Sequence, residues 1–287
     1  MATQSWAATL KNSFKDFMKD KAPMRAAALS YYTAFALPPL LILITMIAGA
    51  VWSPDQVALA IEKQFSGMIG PQGAATVRSM IASGDKSNGP LGTILGFAGL
   101  LFGATGALIA LQDALNAVWN VKRDPQSGGI KGFLLKRLLS LGMILGLGFL
   151  LVVSLAASAA LAALSDMIGT EGIIMQAVGT IVSLAIMSLF FAAIYRYLPD
   201  ADVRWRDVWL GGLVTALLLE LGKLLLGLYL GAKNPGTAFG AASALAVILV
   251  WIYYSAMLVL LGAEFTQQYA ARHGHYIGAR AQDVQSL

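Results

Sequence analysis

Six apolar stretches, each long enough to cross a bilayer, lie between Ala26 and Glu264, and basic residues crowd onto alternate connections between them. A hydrocarbon core about 30 Å thick takes roughly 20 apolar residues of helix. The predicted spans are 26–52, 91–111, 138–164, 172–198, 207–231 and 240–263. Lys11, Lys15, Lys19, Lys21 and Arg25 precede the first span, and Lys122, Arg123, Lys131, Lys136 and Arg137 fill the second connection. Arg196, Arg204 and Arg206 gather at the fourth, and Arg272 and Arg280 follow the last span. The other connections hold only Lys63, Arg78, Lys86 and Lys233, so fifteen basic residues stand against four. An excess of Lys and Arg marks the cytoplasmic side, which predicts that both termini are cytoplasmic. The predicted fold class is all-α: a polytopic membrane protein, a six-transmembrane-helix bundle with short amphipathic interfacial helices.

A chain with 57% hydrophobic and 12% charged residues cannot coat a soluble fold with polar surface. The net charge of +5 sits beside apolar spans, where anionic headgroups are the expected partners. No basic run interleaved with aromatics points to nucleic acid. The absence of cysteine excludes disulfides and thiolate metal sites. The first apolar run is too long for a signal-peptide core and is expected to stay as a signal anchor. One membrane domain over 1–287 is predicted. It comprises a cytoplasmic amphipathic helix at 1–25, the six spans over 26–264 with an external helical segment at 53–90, and a cytoplasmic tail at 265–287.

Residues 5–20 read as an amphipathic helix with Ser5 as N-cap. Trp6, Leu10, Phe14 and Phe17 form a stripe, with Lys11, Lys15 and Lys19 turned elsewhere. Such a helix either lies in the headgroup plane or caps the cytoplasmic helix ends. Pro38 and Pro39 fall inside the first span, where each removes a backbone donor, so a kink or break is expected. The freed carbonyls then need neighbouring helices or a wet cavity. In the external segment, Val57, Ile61, Phe65 and Met68 predict a helix over 55–68. Gly70-Pro71 is expected to separate it from a second piece near 73–83. Gly92, Gly96, Gly99 and Gly103, and then Gly142 and Gly146, let helix backbones approach closely. Two sets of three spans would permit an inverted repeat, but the halves show no sequence match.

Polar residues within the spans are the candidate functional positions. Glu220 and Lys223 share one face of span five, being three residues apart. An ionisable group at mid-span costs at least ~2.5–3.5 kcal/mol. Either the two form a buried ion pair, or they face a cavity. Trp251, Tyr253 and Tyr254 lie near the middle of span six rather than in an interfacial belt, and their donors need partners, with Glu220 one candidate. A second group gathers at the cytoplasmic ends: Gln112, Asn116 and Trp119 on one face, with Arg25, Tyr31, Tyr32 and Glu264. It reads as an ion-pair network locking the helix ends, or as a vestibule for a solute or headgroup. Pro38 and Pro39 complete the substrate-path candidates. No catalytic residue, metal site or cofactor is predicted.

Four stretches carry a family resemblance: AAALSYYTAFALPPLL at 26–41, LQDALNAVWNVKR at 111–123, LPDADVRWRDVWLGGLVTALLLELGKLLLGLYL at 198–230 and FGAASALAVILVWIYYSAMLVLLGAEF at 239–265. In that order they resemble the YihY/BrkB family of bacterial membrane proteins. The matching positions are Tyr31, Pro38, Gln112, Asn116, Trp119, Pro199, Gly211, Glu220, Lys223, Tyr229, Gly240, Trp251, Gly262 and Glu264; residues 53–90 match no pattern. The resemblance implies a six-helix bundle in the bacterial inner membrane. The family once carried the label ribonuclease BN, and its members are now mostly called transporters or virulence-associated proteins. Metal-dependent RNA hydrolysis needs clustered His/Asp ligands or paired carboxylates. Here His273 and His275 stand in a tail without nearby acids in sequence, and no enzymatic activity is expected. No GxxxxGK[ST] motif supports ATP-driven pumping.

The expected function is therefore a transporter or export facilitator for a small solute or an amphipathic, lipid-like substrate. The alternative is a non-transporting scaffold that organises lipids. The topology is testable in this Cys-free chain. On intact spheroplasts, an impermeant thiol reagent should label Ser87→Cys and leave Ser127→Cys unlabelled until lysis. The reverse pattern would overturn the arrangement.

Overall fold

The structure is a computed structural model that describes residues 5–49, 52–86, 90–121, 142, 173–232 and 241–273. The regular elements among these residues are all helices, with no strand among them. The elements are α1 (Trp6–Lys19), α2 (Ala22–Ala48), α3 (Pro54–Lys86), α4 (Pro90–Val118), α5 (Ile173–Tyr197), α6 (Trp205–Ala232) and α7 (Ala241–Arg272). Among the described residues, four segments are long and apolar enough to cross a membrane: Ala22–Met46, Ala177–Tyr197, Trp205–Leu225 and Leu245–Arg272. The predicted span 91–111 lies within α4, and 138–164 falls outside the described residues apart from 142. The last helix runs to Arg272, beyond the predicted start of the tail at 265.

The chain packs as two compact units. One comprises Met1–Ala22, Gln112–Leu218 and Leu258–Leu287. The other comprises Pro23–Leu111 and Leu219–Met257.

In the first unit, the Ser5 side chain caps α1 by accepting from the Ala8 amide at 3.2 Å, as predicted. Lys21 takes a left-handed backbone, φ 55°, which lets α2 start within two residues of the end of α1. Thr9, Ser13 and Phe17 form the buried face of α1. Phe17 therefore leaves the predicted lipid stripe, and Met18 takes its place among the exposed apolar residues with Trp6, Leu10 and Phe14. The hydroxyl of Ser13 bonds the Thr9 carbonyl, so it is buried without being stranded. At the far end of α4, Asn120 turns left-handed and the Val121 amide reaches the Asn116 carbonyl at 2.9 Å. That six-to-one bond is a Schellman-type stop.

The tightest packing in this unit joins α6 to α7. Gly211 lies under Thr266, and Gly262 lies under Thr215 and Tyr195. A Cβ on either glycine would fall inside the facing threonine hydroxyl. Each threonine bonds the carbonyl four residues back on its own helix, Thr215 to Gly211 at 2.8 Å and Thr266 to Gly262 at 2.7 Å. The Tyr195 hydroxyl pairs with Thr215 at 2.7 Å and donates to the Val259 carbonyl at 2.6 Å, tying α5 to both.

In the second unit, Ser53 and Gln56 form a reciprocal capping box before Pro54, the first residue of α3. Residues Pro54–Lys86 are helical, Pro71 included. The chain nevertheless reverses between Glu62 and Arg78, the stretch that holds the predicted break. Arg78 Nη1 donates to Glu62 Oε2 at 3.0 Å across sixteen residues, a separation of about 24 Å along a straight helix. The two arms bury Val57 and Ile61 against Val77 and Ile81, in a cluster with Leu41, Ile44 and Ala48 of α2 and Ile248 of α7. Helical proline is tolerated where its missing amide donor opens a new arm.

No break occurs at Pro38 and Pro39: α2 is continuous through both, although the carbonyls of Ala34 and Phe35 lose their helical donors. Gly103 meets the Ala36 backbone of this helix, where a Cβ would lie 2.7 Å from the Ala36 nitrogen. Gly106, unnoticed in the sequence, lies under the Tyr32 ring. Close packing was also expected at Gly142; among the described residues nothing lies within 4 Å of its Cβ position, and Gly146 is outside them.

These contacts single out two glycines. Gly211→Ala and Gly262→Ala should each destabilise the protein by about 1–3 kcal/mol, the cost of overpacking a filled site. Thermal unfolding in detergent, followed by tryptophan fluorescence, measures the loss.

Candidate functional site

The mid-span charges are paired but not buried. Lys223 Nζ contacts Glu220 Oε2 across one turn of α6, and the two side chains remain 26% and 45% exposed, respectively. The expectation of a buried bridge fails because the pair sits on an outer face. Leu221, Leu224 and Leu225 beside it are exposed as well. Glu220 lies fifteen residues along from Trp205 at the start of the helix, about 22 Å of rise. The face is apolar on both sides of one ion pair.

Tyr254 covers the same stretch of α6 from α7. Its ring lies over Gly222, where a Cβ would come within 2.5 Å of Cε1. Trp251 packs partly buried against the α2–α3 core and tilts toward Tyr254, with ring centroids 6.5 Å apart. Tyr253 is half-buried. Among the described residues, none of the three hydrogen-bonds Glu220, whose partner is Lys223. Tyr31 and Tyr32 belong to this unit too, in edge contact at 5.6 Å. Tyr31 is exposed, and Tyr32 is held by Gly106.

The predicted cytoplasmic group resolves into separate sites in the first unit. Gln112 Nε2 donates to Asp200 Oδ1 at 3.0 Å, and Asn116 Nδ2 donates to Asp200 Oδ2 at 2.9 Å. The Asp200 amide returns a bond to Asn116 Oδ1 at 2.8 Å. The end of α4 and the α5–α6 connection are therefore joined by three hydrogen bonds, one carboxylate serving as acceptor for two amides. Trp119, one turn further, is buried, and its indole donor finds no partner among the described residues.

Glu264 is fully buried on α7, and among the described residues neither carboxylate oxygen has a hydrogen-bond donor. Its charged neighbours are Asp20, Asp16 and Lys19, all from α1. Asp16 is itself held by Gln268 Nε2 at 2.7 Å. The predicted network locking the helix ends therefore divides into an amide–carboxylate clasp on Asp200 and an acidic pocket under α1. An additional half-open cavity of about 240 Å³ is lined by Arg196, Tyr197, Asp202 and Val203. Arg196 donates to the Val203 carbonyl and lies 5.7 Å from the Trp205 ring centroid and 5.9 Å from that of Tyr197. Among the described residues no group of three His, Cys, Asp or Glu could hold a metal ion. The His273 ring lies tilted against that of Tyr269, with centroids 4.3 Å apart, and its Nδ1 is within hydrogen-bond distance of the Tyr269 carbonyl.

Membrane-crossing helices, small-residue seams and polar clusters on and under them define a polytopic helical membrane protein. The particular family follows from comparison with known proteins. Residues 13–285 match the family model described as Virulence factor BrkB, and the chain belongs to that family. It is 30% identical over 268 residues to a UPF0761 membrane protein of Methylibium petroleiphilum, covering 92% of this chain and 62% of that one. It is 32% identical over 260 residues to a UPF0761 membrane protein of Azotobacter vinelandii, covering 88% and 60%. A Pseudomonas aeruginosa relative of the same name is 30% identical over 250 residues, covering 86% and 59%. The chain thus spans about three fifths of the length of these curated relatives. No solved structure matches it.

The Asp200 clasp makes a sharp prediction. Asp200→Ala leaves the Gln112 and Asn116 amide donors without their acceptor, at about 1–3 kcal/mol for each group that stays buried. Changing all three residues to apolar ones should cost less than Asp200→Ala alone. Chemical denaturation in a fixed detergent compares the variants.

Proposed function

We propose that this chain is a six-span protein of the bacterial inner membrane, with both termini cytoplasmic, that moves an amphipathic, lipid-like substrate between leaflets without its own ATPase or enzymatic chemistry. One observation carries this reading: the Glu220–Lys223 pair is open on a leucine-rich face of α6. A scaffold needs no charge at that depth, because leucine or a small residue would pack there without desolvation cost. An ion pair reachable from outside the helix offers a polar stepping stone to a headgroup while the acyl chains stay in lipid. The membrane is thus both solvent and substrate reservoir, and no nucleic acid or cofactor enters. A fully enclosed hydrophilic solute would instead call for charges facing inward.

Reconstitution tests this directly. Proteoliposomes carrying a headgroup-labelled fluorescent phospholipid are treated with a membrane-impermeant reductant. The protein should expose inner-leaflet label to reduction. Glu220→Gln combined with Lys223→Met should slow exposure on the order of a hundredfold, the factor matching ~2.5–3.5 kcal/mol at mid-span. Its unfolding temperature should stay near that of the parent, since a neutral pair leaves no stranded charge. A folded parent protein that leaves the inner leaflet protected would favour the lipid-organising scaffold.

A further inference from the structure

α1 divides into sectors that the structure treats differently. At about 100° per residue, Thr9, Ser13 and Phe17 form one face, and all three are buried. Asp16 lies about 60° to one side and reaches α7 through Gln268. Trp6, Leu10, Phe14 and Met18 run along the other side, centred about 80° from the buried face, and each is more than half exposed. Lys11, Lys15 and Lys19 are exposed on a third sector, centred away from the buried face, with Lys19 at the end nearest Glu264. An apolar flank between a packed face and a cationic ridge is the pattern of a helix lying where protein, lipid and water meet.

The depth of α1 is set by a second observation. Trp6 stacks on Tyr269 with ring centroids 6.2 Å apart, and the Arg272 guanidinium lies 4.3 Å over its ring. Tyr269 and Arg272 end the membrane-crossing segment Leu245–Arg272. Trp, Tyr and Arg at the end of a span mark the headgroup level. The start of α1 is thereby pinned where α7 leaves the hydrocarbon.

We propose that α1 is a membrane-surface helix that seats Trp6, Leu10, Phe14 and Met18 at the boundary of headgroups and acyl chains, and presents Lys11, Lys15 and Lys19 to anionic headgroups of the same leaflet. The occupant of the exposed stripe is an anionic lipid leaflet rather than another protein. Charge complementarity argues for it, since each basic side chain near such a surface adds attraction within a Debye length. The proposal is independent of substrate movement.

The full-length protein supplies the test, because single cysteines can be placed in a Cys-free chain. Leu10→Cys, Phe14→Cys and Lys15→Cys each carry an environment-sensitive fluorophore in vesicles of phosphatidylcholine with phosphatidylglycerol. Lipids brominated on the acyl chain should quench the first two labels about threefold more than the third, and aqueous acrylamide should show the opposite order. In vesicles of phosphatidylcholine alone, or after changing Lys11, Lys15 and Lys19 to Gln, acrylamide access at position 14 should rise about twofold. Equal acrylamide quenching at positions 14 and 15 would overturn the proposal. So would a label at 14 that neither quencher reaches while labels on separate copies transfer energy, because a second chain would then cover the stripe. Indifference to phosphatidylglycerol would overturn the role of the lysines.

Discussion

The mutual insertion of Gly211 under Thr266 and Gly262 under Thr215 is the contact on which the first unit depends. Helices in lipid gain nothing from burying leucine, since the acyl chains are as apolar as the side chain. Association must come from close packing and from polar groups that find partners. Each threonine donates its hydroxyl to a carbonyl on its own helix, so the oxygen can lie directly against the opposite glycine with its donor satisfied. Tyr195 donates its hydroxyl proton to the carbonyl of Val259 and sets the same oxygen against the Thr215 hydroxyl, which adds α5 to the seam. The arrangement is antiparallel and reciprocal, so lengthening either glycine harms both helices.

With that seam in place, the polar clusters take definite positions. The short connection between α5 and α6 brings Asp200 to the end of α4, where Gln112 and Asn116 are one turn apart and reach its two oxygens. α7 continues past the predicted end of its span, and its last turns form a platform for α1. Gln268 holds Asp16, Tyr269 and Arg272 hold Trp6, and Glu264 is sealed beneath the end of the same helix. A short amphipathic helix is marginal alone in water; this one gains its order from that platform.

Much of the frame was legible in the sequence because it rests on local rules. The Ser5 cap, the extension of α4 beyond its apolar run and the close approach at Gly103 follow from capping chemistry and residue size. Four of the expected spans coincide with segments long and apolar enough to cross a membrane. Other features were illegible because their partners are remote. Nothing local marks Asp200, 84 residues from Asn116, as the acceptor for its amide. The threonines facing Gly211 and Gly262 sit on another helix, so spacing alone did not reveal them. Gly70-Pro71 reads as a break, but nothing local shows that Val57 and Ile61 pack on Val77 and Ile81 to hold the two arms of the reversal together. The outward placement of Glu220 and Lys223 depends on rotation about the helix axis, which a nearly uniform apolar helix does not encode.

Two acids, one near the end of α7 and one within α6, make opposite use of their surroundings. Glu264 is closed off, with no donor to either oxygen among the described residues and two further acids among its neighbours. An unpaired charge enclosed in this way is costly, and α1 is what encloses it. Glu220 has its cation one turn away and remains open to whatever lies beside α6. On the proposed reading, an acid that is paired and accessible could exchange Lys223 for a headgroup amine, with Lys223 meeting the phosphate, so that no charge is left uncompensated. A residue placed like Glu264 cannot do this until α1 moves. Access separates the two acids, which is why the reading of function rests on α6 rather than on the sealed carboxylate of α7.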